Sequence, residues 1–378
     1  RHAQIALKKA KFTKSFELYT PGTVDTARRR FSMETDLRRA IERKELTMAY
    51  QPIVKLANGE IAGFEALMRW DHPKRGSIPP SEFIPIAEMS DLIEPLGMFA
   101  LERSTSDLMD WERQTGELPV FLSVNLSSAQ LISSEIYNDV RAMLAKTQCD
   151  PKRIKLELTE SVVMENPEQA RLMLEKLKET GISLALDDFG TGYSSLAYLT
   201  RFPFDTIKLD KALVCDQSEK RSILLKSVVA MARGLEMQVV AEGIETDQDA
   251  AELAKMGCDF GQSFLFGPPL GSDSVLRLLK ELQAELGTAT EVIISSAGRE
   301  ILPVTTLDGQ PVAGPGADRG AERGGVRAPW HRAVQRDRRQ IGKARDHRRK
   351  AFDRAGQMRA HRAGATEHRP FGMQHRFH

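Results

Sequence analysis

Short apolar segments recur along the chain, and seven of them end in a polar or charged side chain. These side chains are Glu65, Asn125, Glu157, the pair Asp187–Asp188, Lys208, Glu242 and Gln262. From Asn125 to Gln262 the successive spacings are 32, 30, 21, 34 and 20 residues, about the length of one strand and one helix. This spacing predicts a repeated β/α architecture whose polar side chains converge at one end.

The first two strands are predicted to form a hairpin. Residues 49–56 and 61–67 both have strand-like composition, and only four residues separate them. So short a connection closes a hairpin but does not hold a parallel crossover, which needs about a dozen residues. We therefore expect these two strands to be antiparallel.

The following segments alternate between strands and amphipathic helices. The strands are predicted over residues 120–126, 154–158, 183–186, 206–209, 238–241 and, more weakly, 262–266. The helices are predicted from the Asn166 cap to Gly181, over 223–235, from the Thr246 cap to Gly257, and over 275–286 with Gly287 ending the last one. Eight strands with helices after all but the first predict an α/β fold, a modified TIM (β/α)8 barrel with the first strand antiparallel to the second. A doubly wound open sheet is the alternative, although it would leave some of the polar strand ends far apart.

Charge divides the chain into two regions. The formal charge of the 378 residues is +2, but residues 318–378 carry 17 Lys and Arg against 6 Asp and Glu. This surplus of 11 positive charges leaves −9 on residues 1–317, which argues against nucleic-acid binding by the main body. An anionic substrate would need local cations or metal ions there.

Features that the sequence lacks bear on the cellular compartment of the protein. Its three cysteines, Cys149, Cys215 and Cys258, form no CxxC pair, so a disulfide framework or a zinc knuckle is not expected. No apolar run has the roughly 18 to 20 residues of a membrane span, and no signal peptide is visible. We expect a cytoplasmic catalytic domain. The missing initial methionine suggests a fragment, so upstream sensor or membrane parts remain open.

The acidic strand ends suggest a metal site. An isolated strand-end carboxylate is usually solvated or ion-paired, but three acidic positions and Asn125 at the same end of successive strands favour a shared cation. Oxygen ligands without His or Cys indicate Mg²⁺, Mn²⁺ or Ca²⁺ rather than zinc. Asp187 and Asp188 would each face a different ion, or one would bridge two ions, as in two-metal phosphoesterases.

Other polar residues complete the candidate site. Lys208 either pairs with the aspartates as a structural salt bridge or holds a water or phosphoryl oxygen. Glu242 and Glu245 are candidate bases. A Gly-rich segment over residues 188–195 begins at the second aspartate of the pair, where it is expected to shape the metal site.

An ordered set of motifs resembles the EAL domain family, phosphodiesterases of the bacterial messenger cyclic di-GMP. The set extends well beyond the Glu65-Ala66-Leu67 tripeptide, and the resemblance covers roughly residues 34–287. The motifs are Tyr50-Gln51-Pro52-Ile53, Glu65-Ala66-Leu67-Met68-Arg69-Trp70, Ser123-Val124-Asn125-Leu126-Ser127, Glu157-Leu158-Thr159-Glu160, Asp187-Asp188-Phe189-Gly190, Ile207-Lys208-Leu209-Asp210 and Ala241-Glu242-Gly243-Ile244-Glu245.

The resemblance implies a role for each matched residue. Glu65, Asn125, Glu157 and Asp187 would bind one metal ion, and Asp187 and Asp188 would serve a second. Lys208 would orient or activate the attacking water, with Glu242 as a base or as a ligand through water. Glu160 and Glu245 would hold the Gly-rich loop. Gln51, Arg69 and Gln262 would contact the substrate, although the family's usual Gln-Gly-Tyr is Gln262-Ser263-Phe264 here.

The implied activity is hydrolysis of cyclic di-GMP to linear pGpG with two Mg²⁺ or Mn²⁺ ions. The alternative is a catalytically inactive module that binds cyclic di-GMP as a receptor or signalling scaffold. Degenerate members usually lose one or more metal-binding acids, whereas all of them are present here. The resemblance also implies a homodimer.

The chain ends differ from the central region. Residues 1–33 are expected to be a linker, either an ordinary basic helix or the end of a preceding GGDEF-like domain; no GGDEF motif occurs. Residues 288–378 are rich in Arg, Gly and Ala and contain six of the eight histidines. We expect this tail to be disordered. A tail that binds nucleic acid or acidic lipid and an out-of-frame or artefactual sequence are the alternatives.

Overall fold

A computed structural model describes residues 22–43, 45–116, 119–133, 135–190, 199–216, 220–296, 306–307 and 310–311. All of them lie in the first of the two units into which the chain divides, Arg1–Arg323. No helix in these ranges is long and apolar enough to cross a membrane.

The first two strands form the predicted antiparallel hairpin, and helices separate most of the later barrel strands. The strands are β1 (Leu46–Lys55), β2 (Ile61–His72), β3 (Gly76–Ile78), β4 (Phe121–Asn125), β5 (Ile154–Thr159), β6 (Ser183–Phe189), β7 (Thr206–Leu209), β8 (Gln238–Glu242), β9 (Phe260–Gln262), β10 (Leu270–Gly271), β11 (Thr306–Leu307) and β12 (Gln310–Pro311). The helices are α1 (Gly22–Arg43), α2 (Pro80–Glu88), α3 (Ile93–Thr115), α4 (Ser128–Ile132), α5 (Ile136–Thr147), α6 (Glu160–Glu165), α7 (Pro167–Glu179), α8 (Lys211–Val214), α9 (Arg221–Gly234), α10 (Asp247–Met256) and α11 (Ser272–Ser296), with a 3-10 turn at Pro151–Arg153.

Eight of the described strands close into a barrel. The order is β1, β2, β4, β5, β6, β7, β8 and β9, and β1 pairs with both β2 and β9. The pairs from β2 to β9 are parallel, whereas β1 is antiparallel to both of its barrel neighbours. This confirms the modified TIM barrel, and the alternative of an open sheet is wrong because the edge strands pair.

Apolar and polar residues alternate along the barrel strands, as β5 shows. The β5 residues Ile154, Leu156 and Leu158 are fully buried, while the intervening residues Lys155 and Glu157 contact partners across the interior. Successive strand residues point to opposite faces. The polar interior therefore comes from alternate positions of otherwise apolar strands.

Two strands have clearly different bounds from the sequence predictions. β2 continues to His72 instead of ending at residue 67, because Trp70, fully buried, packs in an apolar cluster and pairs with Ile78 of β3. The last barrel strand is Phe260–Gln262, not residues 262–266, because the chain turns after Gln262 and exposes Phe264. This boundary places Gln262 at the carboxyl end of its strand.

The last helix passes through the glycine that was predicted to end it. α11 continues beyond Gly287 to Ser296. A glycine inside a helix costs only about 1 kcal/mol relative to alanine, so a favourable surrounding sequence overrides it. The first residues of the predicted tail are therefore helical.

The predictions for the two chain ends fall mostly outside the described residues. The GGDEF-like resemblance rests on residues 3–11. The predicted disorder concerns residues 288–378, of which only the end of α11 up to Ser296, β11 and β12 are described. The predicted boundary between residues 33 and 34 lies within α1. The assignment of these end segments stays a prediction.

Candidate active site

Strand register brings the predicted polar residues to the carboxyl end of the barrel. Asn125 lies opposite Glu157, and Glu242 lies opposite Gln262. In the antiparallel pair of β1 and β2, Glu65 lies opposite Gln51. Residues that are far apart in sequence thus become neighbours in one ring.

Lys208 is at the centre of this ring, in a cluster with four carboxylates. Its Nζ lies 2.7 Å from Glu242 Oε1, 2.8 Å from Glu157 Oε2, 3.2 Å from Asp187 Oδ1 and 3.6 Å from Glu65 Oε2. The lysine side chain is 1% exposed. One buried cation with four acidic neighbours leaves an excess of negative charge when the acids are ionised.

Amide side chains connect Glu65 to three neighbouring strands. Asn125 Nδ2 donates a 2.8 Å hydrogen bond to Glu65 Oε1, and Gln262 Nε2 donates to Glu65 Oε2. Gln262 Nε2 also lies 3.3 Å from Gln51 Oε1, and Gln51 Nε2 lies 3.4 Å from the carbonyl oxygen of Gly267. The predicted positions 51, 65, 125 and 262 therefore belong to one network.

Burial and neighbouring charges shift the pKa values of the acidic side chains in different directions. Burial raises the pKa of Glu157 to about 8 and that of Glu242 to about 7, although Lys208 opposes both shifts. Burial also acts to raise the pKa of Glu65, but Lys208, Gln262 and Asn125 outweigh it and the net shift is downward. The surrounding carboxylates raise the pKa of Lys208 well above its usual value despite its burial. Lys208 therefore favours its charged form, whereas the pKa values of Glu157 and Glu242 are raised above the ordinary value of a carboxyl group.

The aspartate pair has an unusual backbone. Asp188 has φ +56°, a conformation that non-glycine residues rarely adopt, and its backbone N–H donates to Asp187 Oδ1 at 2.9 Å. The register of β6 against β7 shifts between Leu186 and Phe189. Burial and the charge of Asp187 raise the pKa of Asp188. Strained backbone of this kind is concentrated at functional sites.

The donor atoms fit a hard divalent cation. Among the described residues, Glu157 Oε1 is buried without a hydrogen-bond partner, which is costly for a carboxylate oxygen unless a cation satisfies it. Carboxylates and the Asn125 amide oxygen are ligands of the kind that Mg²⁺ and Mn²⁺ prefer. In the described part of the chain, however, no three His, Cys, Asp or Glu side chains already form a metal-binding group. The Lys208 ammonium occupies the position between the carboxylates.

Other predicted site residues have contacts of their own. Arg69 is half-buried and donates to the Met68 carbonyl oxygen at 2.9 Å. Glu245 pairs with Lys211 at 2.9 Å, and both side chains are exposed. Residues 191–198 of the Gly-rich segment lie outside the described residues, so the loop-holding roles of Glu160 and Glu245 stay predictions.

The sequence analysis missed a second buried lysine beneath the cluster. Lys155 Nζ donates to Thr206 Oγ1 at 2.8 Å and lies 4.3 Å from the centre of the Phe121 ring. Lys155 and Thr206 each precede a cluster residue, Glu157 or Lys208, by two positions. The alternation of strand residues could have identified both as facing the barrel interior.

The family model of the EAL domain matches this chain over residues 34–269. A signaling protein of Caulobacter vibrioides, described as uncharacterized, is 41% identical over 253 residues, which cover 66% of this chain and 31% of the relative. The cyclic di-GMP phosphodiesterase NbdA of Pseudomonas aeruginosa is 39% identical over 246 residues, which cover 65% of this chain and 31% of that protein. The match thus spans about a third of the length of these curated relatives.

Solved structures agree with the barrel. The phosphodiesterase PaMucR in complex with c-di-GMP superposes with a TM-score of 0.62 at 35% identity, covering 65% of this chain and 99% of that chain. The EAL domain of FimX from Pseudomonas aeruginosa, bound to c-di-GMP, has a TM-score of 0.59 at 21% identity. The second likeness extends to the fold alone.

Proposed function

Because this chain belongs to the EAL domain family, we propose that it is a metal-dependent phosphodiesterase that hydrolyses cyclic di-GMP to linear pGpG. The observation that carries the proposal is the cluster of four carboxylates around the buried Lys208, in which Glu157 Oε1 has no hydrogen-bond partner in the part of the chain that the structure describes. Together these acids carry more negative charge than Lys208 balances. Cations that neutralise them would also attract an anionic phosphodiester.

The described residues provide a ligand set for Mg²⁺ or Mn²⁺. Glu65, Asn125, Glu157 and Asp187 would hold one ion, and Asp187 with Asp188 would hold a second. When bound, such ions neutralise the phosphate and lower the pKa of the attacking water.

Two side chains of the cluster, Glu242 and Lys208, would accept a proton from the attacking water and orient it. Of the four carboxylates next to Lys208, that of Glu242 is the most exposed, at 23% compared with 1% for Glu157. With a pKa of about 7, Glu242 is suited to accept the proton of the attacking water near neutral pH. Lys208 keeps its charge and would orient that water or a phosphoryl oxygen.

The reaction is in-line displacement at phosphorus. The water oxygen forms a bond to phosphorus, its proton passes to Glu242, and the bond from phosphorus to the 3′ oxygen breaks. The released 3′ oxygen takes a proton from solvent. Gln51, Arg69 and Gln262 would hold the dinucleotide, and the Arg69 guanidinium is suited to phosphate oxygens.

One observation favours the second candidate, a cyclic di-GMP receptor without turnover. Lys208 already pairs with the carboxylates, and the described acids form no ready metal-binding group. A site kept in that state would bind the dinucleotide through its other polar groups without cleaving it.

Product analysis separates the two functions. The protein is incubated with cyclic di-GMP and Mn²⁺, with and without excess EDTA, and the nucleotides are separated by ion-exchange chromatography. The proposal predicts linear pGpG that appears only with free metal ion. Retention of the dinucleotide by the protein, with no linear product at any metal concentration, would establish the receptor instead.

A further inference from the structure

Lys155 places a second positive charge in the barrel interior, below the acidic cluster. It precedes Glu157 by two residues on β5, so both side chains lie on the inner face and their Cα atoms are about 7 Å apart. Lys155 is only 5% exposed. Because the cluster lies between this lysine and the carboxyl end of the barrel, Lys155 acts on the site through its charge and not through contact with the substrate.

Three other strands fix the Lys155 ammonium in the barrel interior. Its Nζ donates to Thr206 Oγ1 of β7 at 2.8 Å, and it lies 4.3 Å from the centre of the Phe121 ring of β4 and 5.9 Å from that of Phe260 of β9. The two rings meet edge to face, with their centres 5.8 Å apart. A cation near aromatic faces is stabilised by the ring electrons. The position of this charge is therefore set by the barrel and not by the cluster.

Lys155 carries its charge at neutral pH. Burial lowers its pKa to about 8, with Lys208 acting in the same direction, whereas Glu157, Asp205 and Asp259 act to raise it. Charges in a protein interior interact more strongly than charges in water, and salt screens them less. The field of Lys155 at the nearby Glu157 carboxylate is therefore persistent.

We propose that Lys155 is a positioning residue that sets the metal affinity of the cluster, because its fixed charge repels a divalent cation bound at Glu157. This inference rests on the proposed function. Lys208 contacts the carboxylates directly and competes with a metal ion for them, whereas Lys155 opposes the ion from below without touching it. The site thus binds Mg²⁺ or Mn²⁺ more weakly than its carboxylates alone would, and its occupancy follows the concentration of free ion.

The test is Mn²⁺ binding by the full chain at pH 7 without substrate, measured from the EPR signal of the free ion. Lys155→Met removes the charge and should lower Kd at least about tenfold, since repulsion between a lysine and a divalent ion about 7 Å apart at an effective dielectric constant of about 20 exceeds that factor. Lys55→Met is the matched control at a 48% exposed lysine of β1, and it should leave Kd within about twofold.

Two further variants separate the charge of Lys155 from its packing. Lys155→Gln keeps a hydrogen-bond donor near Thr206 but not the charge, and it should tighten Mn²⁺ binding as Lys155→Met does. Thr206→Val removes the hydrogen bond but keeps the charge, and it should leave Kd within about threefold. A purely structural role of Lys155 would give the opposite pattern, with Thr206→Val acting like Lys155→Met and Lys155→Gln acting like wild type.

The outcomes keep this inference separate from the proposed function. If the wild-type protein forms linear pGpG but both Lys155 variants bind Mn²⁺ with the wild-type Kd, the inference alone is overturned. If the wild-type protein neither binds Mn²⁺ nor forms product while Lys155→Met binds the ion, the proposed function fails and the inference stands. Absence of Mn²⁺ binding in the wild type and in both Lys155 variants overturns the two together.

Discussion

Lys208 holds the acidic cluster together in the metal-free protein. Its side chain is 1% exposed and lies within 3.6 Å of four carboxylates. Removing one partner of a buried ion pair leaves the others uncompensated and typically costs about 3–5 kcal/mol.

We therefore predict that Lys208→Met lowers the stability of the metal-free protein by about 3 kcal/mol. Mg²⁺ would recover part of this loss because it neutralises the same acids. Thermal unfolding with EDTA and with Mg²⁺ measures both effects. Lys211→Met, at a 60% exposed lysine, is the control. Equal stability of Lys208→Met and wild type would refute the central role of Lys208.

Glu65 connects the amide network to the cluster and is a proposed metal ligand. We predict that Glu65→Ala lowers kcat at least about 100-fold, a larger effect than on substrate binding, because metal ligands act on the chemical step. The assay measures turnover and binding in parallel. Glu60→Gln, at a 60% exposed side chain near the turn of the same hairpin, should behave as wild type. Turnover by Glu65→Ala near the wild-type rate would show that the metal assignment is wrong.

At the residue scale, the sequence identifies more of the cluster's members than of its contacts. The strand-end pattern singles out Glu157 and Lys208 because each interrupts an apolar run. The pattern does not show that Lys208 contacts four acids at once, because this depends on barrel closure across strands distant in sequence. It also overlooks Lys155, which resembles a surface lysine until its contact with Thr206 is known.

Among the elements, α1 is part of the structure around the barrel. Its residues Met33 and Leu37 are buried in a cluster with Trp70 and Phe83. Asp36 pairs with Arg75 at 3.1 Å, next to β3. The helix thereby packs against the strand hairpin that carries Glu65.

Leu37→Ala should lower the free energy of unfolding by about 2–5 kcal/mol, since it removes a fully buried side chain and leaves a cavity. Phe31→Ala on the same helix should change it by less than about 0.5 kcal/mol because the ring is exposed. Urea unfolding of both variants gives the comparison. Similar values for the two would mean that α1 does not pack as described.

Element boundaries were less predictable than element types. The hairpin follows from a four-residue connection, whereas the extension of β2 to His72 depends on Trp70 packing against residues of α1 and α2. Gly287 is a local stop signal that the surrounding helix overrides. Both differences arise where tertiary packing or neighbouring residues outweigh a local preference.

For the whole molecule, the acidic cluster links stability to pH. Burial raises the pKa of Glu157 to about 8 and of Glu242 to about 7, above the value near 4.3 expected in the unfolded chain. At pH values between the unfolded and the folded pKa, these two carboxyl groups hold protons in the folded metal-free protein and release them on unfolding. As the pH rises through this range, the two groups therefore contribute progressively less to the stability of the folded protein.

A divalent cation should reverse this trend because it binds the deprotonated carboxylates. We predict that the rise in melting temperature produced by Mg²⁺ over EDTA is larger at pH 8 than at pH 6. Differential scanning fluorimetry at the two pH values gives the comparison, with Glu60→Gln as a control that follows wild type. The same rise at both pH values would contradict a cation site that includes Glu157 and lies beside Glu242.

The central claim is that the cluster around Lys208 is the metal centre of a phosphodiesterase. The most direct test is anomalous X-ray diffraction from crystals of the protein with Mn²⁺ and cyclic di-GMP. We expect manganese peaks bound by the carboxylates of Glu65, Glu157 and Asp187, with the dinucleotide phosphate beside them. Bound dinucleotide with no manganese peak at these carboxylates, and with Lys208 still paired to them, would contradict it.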